Sequence, residues 1–207
     1  MIEILFENNN LLICKKPVGI SSQGNHENDL PVLLTQQINA PVYPVSRLDQ
    51  MVGGCIVFAK KKDVATKLQN TSYHKQYLAV ITGTLEEKSA VLLDFLYHDA
   101  SRNKSFVVKK KRNGVKEAKL SYEVLKETEN MSFISVQLFT GRTHQIRVQF
   151  ASRKHPLVGD GKYGSKDNHC EVALWAPAVS LKDPKTNEEI SVICPPPAEY
   201  PFLLFTE

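Results

Sequence analysis

The sequence has no long hydrophobic run. None of its 207 residues lies in an apolar stretch of the roughly 18 residues that a membrane-spanning helix requires, so we predict no such helix. The first residues, MIEILFENNN, also lack the basic segment, apolar core and small-residue cleavage site of a secretion signal. We therefore expect a cytoplasmic protein.

Cysteine is scarce as well, with four residues at positions 14, 55, 170 and 194. Zinc and redox sites typically contain the C-x-x-C spacing, and no pair of cysteines in this sequence has it. We predict reduced, partly buried thiols and no metal site.

Neither sign of charge dominates. Lys and Arg number 26 and Asp and Glu 22, which gives a formal net charge of +4 and a pI near 8.8. This balance permits a polyanionic partner and is equally typical of an ordinary soluble enzyme. The length and the 42% hydrophobic content suit one catalytic domain, compact or drawn out into two lobes.

The apolar patterns predict many strands and few helices. Short runs rich in branched residues predict buried strands at 10–16, 53–60 and 75–82. Helices are predicted for PVLLTQQI after Asp29 and for VATKLQN, with Asp63 as its N-cap. Amphipathic spacing predicts a third helix in HQIRVQFASRKHP.

Two further pairs of segments predict antiparallel strands. KEAKLSYEVLKE and MSFISVQLFTG are separated by a turn near Glu129 and Asn130, and LWAPAVSLKD and EEISVICPP predict a final hairpin. Many strands with few short helices indicate an α+β fold with a mainly antiparallel sheet.

A carboxylate stands at the entrance of one predicted strand. In VSRLDQMVGGCIVFAK, Arg47 and Asp49 precede two glycines and the apolar run of 53–60. Loops fixed by rigid strands often carry reacting groups, whereas an aspartate before a turn is more often a cap or a turn former. On the residues alone, both interpretations of Asp49 stay open.

Polar and basic side chains crowd the start of the third predicted helix. Arg142, His144, Gln145 and Arg147 occur together in FTGRTHQIRVQFA. Guanidinium groups match the oxygens of phosphate and carboxylate, so this cluster suits phosphate contacts and ion pairing. The alternative is a solvated helix start in which His144 is a structural hydrogen-bonding group.

The segment 104–119, KSFVVKKKRNGVKEAK, gathers seven basic residues against one acidic residue. It predicts a hairpin that turns at Asn113 and Gly114. The cations near its tip suit a phosphate backbone, which contributes affinity rather than base specificity. These cations are Lys109, Lys110, Lys111 and Arg112. A solvated edge that lysines protect from aggregation explains the same residues.

Residues 159–164, GDGKYG, match the G-x-G-x-x-G pattern of dinucleotide-binding proteins. That motif follows a strand and opens an amphipathic helix, whereas the polar SKDNH follows this segment. A dinucleotide site therefore has little support.

Five segments in order closely resemble the RluA branch of RNA pseudouridine synthases. They are ILFENNNLLICKKPVGISSQG, SRLDQMVGGCIVFAK, KQYLAVITG, TGRTHQIRVQFASRKHPLVGDGKYG and LWAPAVSLKDP. The resemblance covers nearly the whole chain, from about Ile4 to Pro197. The resemblance implies an α+β catalytic fold, with a mixed, largely antiparallel sheet and a central cleft. It implies a single catalytic domain over residues 1–207 without an additional N-terminal RNA-binding domain.

The resemblance also implies roles for single residues. Asp49 matches the family's essential aspartate, and Arg47 the arginine implicated in displacing the target base. Tyr77 matches the tyrosine that packs against the flipped uracil, and Arg147 the arginine that pairs with the aspartate. We expect the remaining RNA contacts at Arg142, His144, Gln145, Lys109, Lys110, Lys111 and Arg112.

Some positions depart from the family pattern. Ser46 stands where a histidine is usual, and Trp175 replaces a second usual histidine. Val52 and Gly53 occupy the positions of the family's threonine or valine and its serine. These departures spare the catalytic positions, and we expect them to alter how the loop meets RNA.

The implied reaction is the conversion of uridine to pseudouridine in structured RNA, either ribosomal or transfer RNA. The base leaves C1′ through N1, turns and rejoins through C5, so one carboxylate beside the ribose is needed. Asp49 acts either as a nucleophile at C1′ or as a base at C2′, and both mechanisms stay open. Because every atom exchanged belongs to the substrate, the resemblance implies neither a metal nor an organic cofactor.

Two alternatives to this enzyme differ in class. An RNA-binding protein of the same fold without activity would retain the RNA contacts and lose the chemistry. A zinc-dependent base deaminase would contain H-x-E together with P-C-x-x-C, and the P-C-x-x-C motif is missing from the sequence. We expect a monomer that binds RNA, with neither DNA nor a membrane as a partner.

Overall fold

A computed structural model describes residues 1–69 and 76–205. Within them the chain forms two compact units, one of residues 1–69 and 175–196 and one of residues 76–174 and 197–205. Asn70 and Lys75, the predicted end of a helix and start of a strand, lie outside the described residues. No helix in the described part is long and apolar enough to cross a bilayer.

The elements of the chain are mostly strands. They are β1 (Ile4–Glu7), β2 (Leu11–Lys16), α1 (Leu30–Ile38), β3 (Tyr43–Pro44), β4 (Gly53–Ala59), α2 (Lys62–Gln69), β5 (Gln76–Thr82), β6 (Ser89–Asp99), β7 (Lys104–Val108), β8 (Val115–Glu127), β9 (Met131–Leu138), α3 (Gln145–Ala151), β10 (Leu174–Ala176), β11 (Ala178–Lys182) and β12 (Glu189–Ile193). Short 3-10 turns occur at Gly161–Tyr163 and Phe202–Phe205. The predicted α+β class with a largely antiparallel sheet is confirmed.

In the first unit, β4 is the central strand. All seven of its residues are buried, and it pairs antiparallel with β2 and with the short β3. β1 extends this sheet beside β2. A strand buried on both faces requires a continuous apolar run rather than an alternating one, which is why GGCIVFA was recognisable in the sequence.

Both predicted helices of this unit are present. α1 begins directly after Asp29 and ends where Asn39 adopts a left-handed conformation. α2 begins at Lys62, so Asp63 lies inside the first turn and the prediction that it is the N-cap was wrong. A carboxylate there still favours the helix, because it faces the positive end of the helix dipole. Asp63 also pairs with Lys185 at 2.5 Å.

The predicted final hairpin was only partly right. AVSLK and EISVI pair as β11 and β12, but LWA separates from them as β10 at Pro177. Trp175 and Ala176 of β10 instead run parallel to Gly53 and Gly54 of β4. The alternation of apolar and polar residues does not reveal this break, because LWA before Pro177 and AVSLK after it both contain apolar residues typical of a strand.

Two departures from the RluA pattern compensate for each other in this pairing. A Cβ atom on Gly53 would lie 2.3 Å from Cζ3 of the Trp175 ring. The indole is buried and donates its Nε1–H to the carbonyl of Cys194 at 2.7 Å. The glycine therefore makes room for the tryptophan that stands where the family usually has histidine.

The second unit is an antiparallel sheet in the order β5-β9-β8-β6-β7. The predicted strands around Glu129 and Asn130 pair as β8 and β9, which confirms that turn. The predicted third helix is α3, and its Val148 packs on Leu96 and Ala118 of the sheet.

The prediction of a hairpin over 104–119 was wrong. Within the described sheet, β7 and β8 lie on opposite sides of β6 and each pairs with it, not with the other. Residues 109–114 therefore cross the end of β6. The turn at Gly114 exists, with φ of +79°, but it belongs to this crossing loop. The error arose because β6 had not been identified between residues 84 and 103.

Restoring the family's serine at Gly53 should destabilise the protein. Gly53→Ser forces a side chain into the Trp175 ring, and overpacking of this kind costs about 1–3 kcal/mol of unfolding free energy. Adding Trp175→His should recover most of that loss, because the smaller ring leaves space. Urea unfolding of both single variants and the double variant measures the coupling. Additive losses would contradict the proposed compensation.

Candidate active site

Asp49 lies in the loop that leads from β3 into β4. Its side chain is half-buried, its neighbour Leu48 is buried and Arg47 is exposed. The Asp49 carbonyl accepts the N–H of Val52 at 3.0 Å, which closes a turn just before β4. The carboxylate thus stands on a short loop fixed to the most buried strand of its unit.

The segment after β2 holds this loop on both sides of Asp49. The Ser22 hydroxyl donates to the Leu48 carbonyl at 2.7 Å and accepts the Leu48 N–H at 3.2 Å. Gly19 donates its N–H to the carbonyl of Gln50 at 2.9 Å, and the Gln50 amide donates back to the Gly19 carbonyl. Hydrogen bonds to the segment after β2 therefore fix the backbone before and after Asp49.

Lys16 is a buried cation beside the same loop. Its side chain is fully buried, and its ammonium donates to the carbonyls of Pro17 at 2.7 Å and Gln50 at 3.0 Å. Burial lowers the pKa of Lys16 from 10.5 to about 8, and the negative charge of Asp49 opposes that fall. The same interaction means that Lys16 brings a positive charge close to the loop of Asp49.

Tyr77 lies on β5 in the second unit and is half-buried. It stands opposite Val136 of β9, which stands opposite Tyr122 of β8. Directly opposed residues share a face of a sheet. The Tyr122 ring packs edge-to-face on Phe150 of α3, with centroids 5.4 Å apart. Tyr77 therefore lies on the face of the sheet that α3 covers.

Arg147 is buried in the first turns of α3. Its Nε and Nη2 donate to the two carboxylate oxygens of Asp160 at 2.7 and 2.8 Å. Its guanidinium carbon lies 5.1 Å from the centre of the Tyr163 ring. The predicted pair between Arg147 and Asp49 would join the two units, and it stays a prediction.

The other residues predicted at the start of α3 have different surroundings. Gln145 is 3% exposed, and its amide bonds to Thr140, to the Arg142 N–H and to the Lys119 carbonyl. His144 is buried in a left-handed conformation and bonds through Nδ1 to the Tyr163 hydroxyl at 3.0 Å. Arg142 is partly exposed, with Nε donating to the carbonyl of Glu117.

The predicted basic tip is a solvent-facing loop. Residues 109–114 are all exposed. The Arg112 guanidinium lies 5.5 Å from the centre of the Tyr97 ring, so one end of the loop rests on β6. The three preceding lysines extend from it into solvent.

In each unit, residues that contact the predicted site residues or their loops were missed in the sequence. No role was predicted for Lys16, Ser22, Asp160 or Tyr163, although all four lie in segments that resemble the RluA branch. The burial of Lys16 had no signal in the sequence, because lysine is almost never fully buried unless it is paired. Within residues 1–69 and 76–205, no three His, Cys, Asp or Glu side chains are grouped to hold a metal ion.

The GDGKYG segment does not have dinucleotide-binding geometry. Only a three-residue 3-10 turn follows Asp160 instead of an amphipathic helix, and the Asp160 side chain points inward to Arg147. A buried carboxylate at this position would repel a pyrophosphate rather than bind it.

Comparison with known proteins identifies the family. The sequence model of RNA pseudouridylate synthases matches residues 10–152, so the chain belongs to the RNA pseudouridylate synthase family. The uncharacterized RNA pseudouridine synthase YhcT of Bacillus subtilis is 33% identical over 96% of this chain and 70% of its own length. Membership makes the chain an isomerase and confirms the resemblance to the RluA branch.

Two further likenesses agree with this assignment. Ribosomal large subunit pseudouridine synthase D of Nitrosomonas europaea is 37% identical over 79% of this chain, which spans half of that relative's length. The solved structure of human RNA pseudouridylate synthase domain containing 4 has a TM-score of 0.77 and 22% identity. It covers 98% of this chain and 90% of its own, and it supports the fold.

The buried ammonium of Lys16 makes a prediction about stability and pH. Because the folded pKa, about 8, is below the ordinary 10.5, the unfolded chain binds more protons between these values. Stability relative to Lys16→Met should therefore rise with pH across that window, by up to about 1.4 kcal/mol per unit. Denaturant unfolding of both proteins from pH 7 to 10 gives the difference in their unfolding free energies. The contributions of the other titratable groups cancel in this difference. If the difference in unfolding free energy between the two proteins does not change with pH, the pKa of Lys16 is not lowered by burial.

Proposed function

We propose that this protein converts specific uridines in structured RNA into pseudouridine, with Asp49 as the catalytic carboxylate. The observation that carries the proposal is the loop of Asp49. It combines the family's arginine-leucine-aspartate motif with a fixed backbone and a buried ammonium beside the carboxylate. A carboxylate that must react while ionised needs both rigid placement and a positive neighbour.

The reaction redistributes bonds within the substrate. The N1–C1′ bond breaks, the uracil turns and C5 bonds to C1′. The proton on C5 leaves and N1 gains one, so no atoms are lost overall. Asp49 either forms a bond to C1′ or removes the C2′ proton to give a glycal, and either role uses its ionised form.

Tyr77 and Arg147 have supporting roles in this proposal. The Tyr77 ring offers a face for the extruded uracil, and base flipping costs a few kcal/mol that such stacking offsets. Its hydroxyl is proposed to help remove the C5 proton. Arg147 is proposed to pair with Asp49 and keep it ionised in a desolvated site.

The proposed RNA contacts differ in directness. Arg47 is exposed and lies two residues before Asp49, and we propose that it displaces the target base. Arg142, which is partly exposed, and the loop of 109–112, which is exposed, are proposed to contact phosphates. Gln145 and His144 are buried, so we assign them an indirect role in shaping the loop before α3.

Ribosomal RNA is the substrate class that we favour, with transfer RNA as the alternative. A relative that is 37% identical carries the name of a large ribosomal subunit pseudouridine synthase. The chain spans half of that relative, so its full set of RNA contacts is not transferred. Only the catalytic chemistry and the RNA substrate class enter the proposal.

Asp49→Asn should abolish pseudouridine formation while folding and RNA affinity stay near wild type. The amide keeps the size of the side chain and removes the charge that either mechanism requires. Tritium release from RNA labelled at uridine C5 measures turnover, and Asp63→Asn, an exposed aspartate of the same unit, is the control. Turnover by Asp49→Asn within about tenfold of wild type, roughly 1.4 kcal/mol in the barrier, would refute the central role.

Neutralising the basic loop should weaken RNA binding regardless of sequence. Replacing Lys109, Lys110, Lys111 and Arg112 with glutamine removes up to four phosphate contacts, so the slope of log affinity against log salt should fall by up to about 3. The matched control removes four exposed lysines elsewhere, at Lys62, Lys126, Lys182 and Lys185. Equal binding and equal salt slopes for both variants would favour a merely solvated loop.

A further inference from the structure

We propose that Asp160 and Tyr163, in the GDGKYG segment, are positioning residues that fix the guanidinium of Arg147 for the reaction. This inference rests on the proposed function, because it concerns how Arg147 is placed rather than what Arg147 does. It assigns a use to a segment whose glycine pattern first suggested a dinucleotide site.

Asp160 fixes one edge of the guanidinium. Both carboxylate oxygens accept hydrogen bonds, from Nε at 2.7 Å and Nη2 at 2.8 Å, so the pair is planar and bidentate. The side chains are 5% and 1% exposed, which leaves almost no water to screen the pair. Asp160 uses two of the five N–H donors of Arg147, and the other three point away from that edge.

Tyr163 fixes the face of the same guanidinium. The guanidinium carbon lies 5.1 Å from the ring centre, a distance typical of a cation over an aromatic face. Edge and face contacts together leave Arg147 little freedom to rotate or slide. An arginine held in this way delivers its remaining donors to one place without reorganisation.

Tyr163 is itself held by the start of α3 and by β7. Its hydroxyl accepts the Ser105 N–H at 2.8 Å and lies 3.0 Å from His144 Nδ1. Burial raises the pKa of the Tyr163 phenol, so it stays protonated and its hydrogen is available for Nδ1. His144, which precedes α3 and adopts a φ of +55°, is thereby tied to the same segment as Arg147.

The backbone of the segment explains two of its glycines. Gly159 has a φ of +78°, and a Cβ atom there would lie 2.2 Å from the carbonyl oxygen of Glu171. Gly164 has a φ of +97° and ends the turn that carries Tyr163. By contrast, a Cβ atom on Gly161 would meet nothing within 4 Å. The outer glycines thus set the path that brings Asp160 and Tyr163 to Arg147.

Asp160→Asn tests the inference, because the new amide repels one guanidinium N–H while it keeps the side-chain shape. Single-turnover rates with saturating enzyme should fall about 100-fold, with RNA affinity within about twofold of wild type. Asp94→Asn is the control, since Asp94 forms another two-bond pair with an arginine of this unit, Arg153. Thermal unfolding is measured for each variant.

The outcomes separate this inference from the proposed function. A slow Asp160→Asn that unfolds no earlier than Asp94→Asn supports the positioning role. If Arg147→Ala is inactive but Asp160→Asn matches Asp94→Asn in rate, the inference is overturned and the proposed function stands. If Arg147→Ala keeps the wild-type rate, the proposed role of Arg147 fails and this inference fails with it.

If Asp160→Asn does not fold, Tyr163→Phe tests the positioning role instead. It keeps the ring under the guanidinium and removes only the hydroxyl that ties Ser105 and His144. A rate reduced at least threefold with unchanged RNA affinity supports the positioning role. A wild-type rate in a folded Tyr163→Phe overturns the part assigned to the hydroxyl.

Discussion

A cation buried without a fixed partner is costly, and this protein buries one cation beside the loop of Asp49 and another, Arg147, among its candidate catalytic residues. Lys16 is fully buried beside the loop of Asp49, and Arg147 is 4% exposed at the start of α3. Each cation has a different kind of hydrogen-bond acceptor. Backbone carbonyl oxygens accept from Lys16, and the Asp160 carboxylate accepts from Arg147. The surrounding loops supply these partners, and two of the candidate catalytic residues, Asp49 and Arg147, take their positions from these and neighbouring contacts.

These contacts connect stability with the proposed chemistry. The segment after β2 holds the backbone on either side of Asp49, and Ser22 satisfies both polar groups of Leu48. Such preorganisation avoids a reorganisation cost at the moment of reaction, which is the usual source of an enzyme's electrostatic advantage. The same bonds leave no polar group of Leu48 unpaired in the interior.

Local patterns predicted much of the fold. β4, α1, α3 and the turn between β8 and β9 were recognisable because each has a complete apolar run, a periodic face or a turn signal of its own. The hairpin at 104–119 was wrong because strand order depends on partners distant in sequence, and β6 had been missed. Arg147 was identified from its motif, but Asp160 was not, because their contact depends on how the chain folds back.

Departures from a family pattern also needed the structure for their interpretation. In the sequence, Gly53 and Trp175 are two unrelated substitutions more than a hundred residues apart. In the fold they are neighbours on parallel strands, where the missing side chain of one accommodates the ring of the other. Ser46 has no such explanation, and nothing in the structure accounts for it.

The central claim is that this chain makes pseudouridine in RNA through Asp49. Its most direct test is pseudouridine mapping of total RNA from cells that lack the protein, complemented with either the wild-type gene or Asp49→Asn. The account predicts that particular uridines, in ribosomal RNA first of all, lose the modification in the deletion and regain it only with the wild type. Full modification in cells that carry only Asp49→Asn would contradict it.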